Sequence, residues 1–121
     1  NFILYVGNDG KARFMFSSLN KTGDCFVAGI TNIKDNVWHH VTGVYTGDVD
    51  KKCKLYVDSL AVRNDNSVLG TPLGVGSDIY IGANVYKNTA GKTLASAKLN
   101  GNVDEVKIYN KALNASEIGV L

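Results

Sequence analysis

Acid–base chemistry needs ionisable groups that converge on one bond, and this chain offers few. Its 121 residues hold two His, two Cys and two Glu. His39 and His40 are adjacent, so in an extended strand their rings leave opposite faces and cannot share a metal or a substrate. They read as one packed imidazole and one facing solvent. Neither a G-x-S-x-G elbow nor a His-Glu-x-x-His helix is present to add a nucleophile or a zinc site. Cys25 and Cys53 each head a candidate strand. Cys53 falls on one face with Leu55 and Val57, which makes it a small buried hydrophobe. A Cys25–Cys53 bridge, suited to an oxidising compartment, is the alternative, and both readings stay open.

The carboxylates are no better paired. In Asp104-Glu105-Val106-Lys107-Ile108, alternation puts Asp104 on the apolar face with Val106 and Ile108, and Glu105 on the other. Glycoside hydrolysis needs two carboxyl groups about 5–9 Å apart across one bond, which opposed neighbours do not provide. The expectation is that the chain is not an enzyme. An inward Asp104 must find hydrogen-bond donors or a cation, and backbone amides are the first reading.

A sugar site needs a flat aromatic face for the C–H side of the ring and amides for its hydroxyls. The stretch from Asn84 to Lys92 has both: Tyr86 as the face, Asn84 and Asn88 as the amide fork. Tyr80, alternating with Ile79 and Ile81, joins them if it opens onto a sheet face. The plainer reading is a solvated loop with an incidental tyrosine. Asp48, Asp50, Lys51 and Lys52 read as a solvated hairpin tip. Asn20-Lys21-Thr22 and Asn114-Ala115-Ser116 fit the N-glycosylation sequon.

The elements that must carry these residues are mostly strands. Hydrophobic residues make up 45% and charged residues 20%, which excludes a disordered chain. A net charge of +2 builds no phosphate-tracking stripe, so no nucleic-acid partner is expected. No apolar run approaches the roughly 18 residues of a membrane helix, so no membrane insertion by this segment is expected. The dominant period is two. Phe2–Val6 runs into Gly7-Asn8-Asp9-Gly10, a hairpin signal, and Lys11–Ser18 follows with Ala12, Phe14 and Phe16 on one face. Further strands are read at Cys25–Ile30, Val37–Thr46, Cys53–Asp58, Leu60–Arg63, Asp78–Gly82 and Asn102–Tyr109, with Asn84 to Gly101 as a long polar loop. One short helix follows Asn114, with Glu117 completing a capping box and Leu113, Ile118 and Leu121 as its docking residues. About seven or eight strands with regular turn signals make an all-β sandwich or barrel.

Three segments together resemble a known family. Trp38-His39-His40-Val41-Thr42-Gly43-Val44-Tyr45, Lys54-Leu55-Tyr56-Val57-Asp58 and Gly101–Leu113 are similar, in order and spacing, to strands of laminin-G-like domains. These domains belong to the concanavalin A-like lectin/glucanase superfamily. The resemblance implies an antiparallel jelly-roll β-sandwich spanning 1–121 as one domain. It also implies a glycan-binding, lectin-like module of an extracellular or cell-surface protein. The alternative is a structural or adhesive subunit, or a protein-interaction domain of a surface appendage, that contacts a surface protein. The pattern starts inside the family's usual order, so the expectation is a domain lacking its opening strand or strands, with strand donation from a neighbouring chain as one way to fill the gap. Structural Ca²⁺ in the superfamily makes Asp104 a candidate calcium ligand, although Ca²⁺ takes roughly six to eight oxygens. The glucanase Glu-x-Asp-x-Glu pattern is absent. The resemblance places Trp38 in the core, with a sugar platform as the alternative. Two departures stand out: Ser59 replaces the turn glycine, and Gly43 leaves a bare spot in mid-strand.

Overall fold

The computed structural model describes residues 2–16, 25–47, 52–65 and 79–121, without the side chains of residues 63–65 and 86. Asn20-Lys21-Thr22, Asp48, Asp50, Lys51 and Asp78 lie outside the described residues. The chain divides into two units: Asn1–Val75 with Tyr109–Leu121, and Gly76–Ile108.

Among its described residues the first unit holds two three-stranded antiparallel sheets. One comprises β1 (Phe2–Val6), β2 (Lys11–Phe16) and β3 (Cys25–Asn32); the other comprises β4 (Val41–Tyr45), β5 (Cys53–Val57) and β6 (Leu60–Asp65). Alternation in β2 buries Ala12, Phe14 and Phe16; in β5 it buries Cys53, Leu55 and Val57. With Cys25 and Val27 of β3, these faces form one core between the sheets. Each large side chain removed from water there contributes about 1.5–3 kcal/mol. The architecture is the expected all-β antiparallel sandwich with a short C-terminal helix.

Gly43 has its reason in this core. The Phe14 ring of the facing sheet lies over it, with Cε2 2.7 Å from where a Cβ would stand. The β5–β6 turn also departs from glycine at a cost. Asp58 and Ser59 both take left-handed backbone (φ 52° and 66°), the two-residue geometry that matches strand twist.

Helix α1 (Ala115–Gly119) begins with a reciprocal cap: Glu117 N–H donates to Asn114 Oδ1 (2.9 Å), and Asn114 N–H donates to Glu117 Oε2 (2.8 Å). Leu113 and Ile118 are buried with Val44 and Tyr56 in a second cluster on the other side of the β4–β5–β6 sheet, while Leu121 stays exposed.

The second unit contains the β-hairpin of β7 (Asn84–Lys87) and β8 (Thr93–Ser96), where a loop was expected. The turn chemistry accounts for it. Gly91 takes φ 76° and donates to Asn88 O (2.9 Å), and Asn88 N–H donates to Lys92 O (3.0 Å).

Three sequence expectations are corrected. Residues 102–109 form no strand; Glu105 at φ 52° breaks the extended run, and Val103, Val106 and Ile108 are exposed. Residues 79–82 are irregular, and Ile79, Tyr80 and Ile81 are all exposed rather than alternating. Val37–His40 is not strand either, so β4 starts at Val41 and Trp38 is 66% exposed instead of in the core.

Candidate functional site

The hairpin of the second unit carries most of the residues expected to touch a ligand. Asn84 and Tyr86 are two apart in β7 and pair with Ser96 and Leu94 of β8. Asn84 is exposed. Asn88 follows at the turn, where its Oδ1 accepts from the N–H groups of Ala90 (3.0 Å) and Lys92 (2.9 Å). That carbonyl shapes the turn. Tyr80 precedes the hairpin and is half exposed.

Asp104 sits in the irregular stretch, exposed, its Oδ1 accepting from the adjacent Glu105 N–H (2.8 Å). The inward orientation expected from alternation is therefore overturned. Among the described residues no three His, Cys, Asp or Glu side chains cluster to hold a metal. One exposed carboxylate supplies at most two of the roughly six oxygens calcium takes.

Among the described residues, several carboxylates sit in ion pairs. Glu105 pairs with Lys107 (2.9 Å), and Glu117 caps α1 and meets Lys111, whose ammonium, more than the Asn114 amide, holds the Glu117 carboxyl below its usual range. Asp9 pairs with Arg13 (2.9 Å).

Asp35 and Asp58 bracket one imidazole in the first unit, a cluster that sequence reading missed. His39 Nδ1 donates to Asp58 Oδ2 (2.7 Å) and Nε2 donates to Asp35 Oδ1 (3.0 Å). A neutral imidazole has one N–H, so only the cation satisfies both acceptors. The bond to Asp58, then that to Asp35, raises the His39 pKa above its ordinary value, and the same bonds lower both carboxyls. Asp58 also accepts from His40 N–H (3.0 Å) and returns its own N–H to His40 O (2.8 Å). The His39 side chain is 16% exposed and His40 is exposed. The only hint in sequence was Asp35 four residues before His39; the Asp58 contact needs the β5–β6 turn to come alongside.

Cys25 and Cys53 form a disulfide, Cα–Cα 6.1 Å. It joins the first residue of β3 to the first of β5, tying one sheet to the other. Of the two readings open in the sequence, the bridge is the one observed, and both residues are also fully buried.

A family profile described as the concanavalin A-like lectin/glucanases superfamily, of laminin G type, matches residues 1–119. The chain belongs to this superfamily. Its laminin-G segments thus fall within a match that spans almost the whole chain. The crystal structure of an S-layer domain-containing protein (residues 221–444) from Clostridium thermocellum ATCC 27405 is similar, with a TM-score of 0.60 and 26% identity. The similarity covers 98% of this chain and 54% of that one, so this chain spans about half of its structural relative. No curated protein matches the chain. No helix among the described residues is long and apolar enough to cross a membrane.

Proposed function

We propose that this superfamily domain is a non-catalytic glycan-binding module of an extracellular or cell-surface protein. The family match over residues 1–119 carries the reading. Two features support it. The Cys25–Cys53 bridge belongs to an oxidising compartment. Among the described residues, the carboxylates of Asp9, Asp35, Asp58, Glu105 and Glu117 are each paired with a cationic side chain rather than with a second acid. The contact surface is the β7 face with Asn84 and Tyr86, joined by the Asn88 amide and Tyr80. A glycan array tests this. Retention of a defined glycan that Tyr86→Ala weakens by about 1–3 kcal/mol, the size of a lost stacking face, is the expected result. Glycan turnover, or no retention of any glycan, would end it.

A second reading is a structural or adhesive subunit at a cell surface. Among the described residues β1 pairs on one side only, with β2, and Phe2 and Leu4 are exposed along it. Such an edge accepts an added strand from a partner, bound through main-chain hydrogen bonds. The S-layer relative is in keeping with that setting. Sedimentation over a concentration series separates the two readings: assembly that Leu4→Lys abolishes favours the subunit.

A further inference from the structure

We propose that the His39 ring is a proton-operated clasp: it holds the segment Asp35–Trp38 to the β5–β6 turn in mild acid and lets it go as the medium turns alkaline. The device does not depend on which ligand the domain carries.

The segment lies between two anchors. Before it, Ile33 N–H donates to Gly10 O (2.8 Å) and Lys34 N–H donates to Asn32 Oδ1 (2.8 Å). After it, His40 N–H donates to Asp58 Oδ1 (3.0 Å) and Asp58 N–H donates to His40 O (2.8 Å). In between, Asp35 is tied through His39, whose Nε2 lies 3.0 and 3.1 Å from its two carboxylate oxygens. Asp35 Oδ1 also accepts from Val37 N–H (3.1 Å), so the tie at Asp35 sets the turn that follows it. Asn36, Val37 and Trp38 are exposed, and Asn36 takes left-handed backbone (φ 63°), a conformation L residues seldom keep without support.

One proton decides whether both carboxylates are held. The cation has two N–H groups, one for each; the neutral ring has one N–H and one lone pair. The remaining N–H stays at Nδ1, because its bond to Asp58 is the shorter (2.7 Å) and Asp58 is itself fixed by the His40 backbone. The proton leaves Nε2 for water, and a lone pair then faces the Asp35 oxygens with no hydrogen between them. Asp35, its side chain 47% exposed, turns to water, and the Val37 bond goes with it. The charged groups acting on the imidazole are Asp58, from the β5–β6 turn, and then Asp35, from its own loop; His40 acts on Asp58. The Lys34 ammonium is directed to Asn8 O (3.3 Å). Both carboxylates favour the cation, so release comes above the ordinary histidine value of about 6.5.

NMR on the full chain between pH 5 and 9 tests the clasp. The Val37 amide, corrected for the intrinsic rise of hydrogen exchange with pH, should lose protection at least tenfold in one transition centred above pH 6.5 or so. The His40 amide should keep its protection, and the ring nitrogen shifts of neutral His39 should show the proton at Nδ1. In His39→Gln the transition should vanish. Asp35→Asn separates the clasp from general loosening: its amide can donate to the Nε2 lone pair and still accept from Val37 N–H, so Val37 should stay protected over the whole range. Unchanged Val37 protection in the parent overturns the clasp, as does parallel loss at Val37 and His40. A neutral ring protonated at Nε2, a transition that survives in His39→Gln, or an Asp35→Asn variant that opens like the parent overturns it equally.

Discussion

The Phe14 ring of one sheet occupies the space that a side chain on Gly43 of the other sheet would need. The bare spot in β4 is thus the seat of a buried aromatic. Gly43→Ala must displace a ring packed on all sides, and overpacking of this kind costs about 1–3 kcal/mol. The check is the urea midpoint of the variant. A midpoint equal to that of the parent would show that Phe14 moves freely.

Ser59 gives the opposite prediction. It holds φ 66° without glycine's freedom, and a left-handed residue costs roughly 1–2 kcal/mol. Ser59→Gly should relieve that cost, offset by the greater freedom glycine has in the unfolded chain. A net gain of about 0.5–1 kcal/mol is expected, read as a higher melting temperature.

The disulfide closes a segment of sequence separation 28. Loop entropy for that length stabilises the fold by about 3.5 kcal/mol. Cys25→Ala/Cys53→Ala, or full reduction, should lower stability by about that amount in equilibrium denaturation. Non-reducing mass analysis should find two hydrogens fewer than in the reduced chain.

The bracket around His39 predicts a pH optimum. His39 is raised, so its contribution is complete below the ordinary histidine value of about 6.5 and fades as pH climbs through the higher folded value. Asp35 and Asp58 are lowered, so theirs is complete above about 4 and fades as pH falls through the lower folded values. Both are intact between about pH 4 and 6.5. Melting temperature should fall as pH is raised from that window toward 8, and the fall should shrink in His39→Gln. Equal slopes in the two proteins would remove His39 from the explanation.

The sandwich was legible where period and burial agree. Ala12, Phe14 and Phe16 could be read as one inward face, as could Cys53, Leu55 and Val57, because each set keeps the period of two. The β1–β2 and β5–β6 hairpins announced themselves through Gly7-Asn8-Asp9-Gly10 and Asp58-Ser59. The capping box of α1 was equally plain. What stayed hidden depended on tertiary partners. Alternation alone put Asp104 inside, but Glu105 in left-handed backbone ends the strand pattern there. Trp38 looked like core because its neighbours resemble a strand, whereas Asp35, Asn36 and the Asp58 contacts turn that stretch into a loop. Asn84 and Tyr86 were named for their residue types, and the structure adds that both lie in β7. The turn role of Asn88 was not legible, since it rests on the amides of Ala90 and Lys92.

The sulfur–sulfur link from Cys25 to Cys53 makes residues 26–52 a closed ring. If the ends of the chain are pulled, as at a surface under shear, tension crosses from β3 to β5 through that covalent link. The ring, with Trp38 and His39 on it, carries none of the load. Asp58 lies outside the ring, so the same pull can draw it away from His39 and His40.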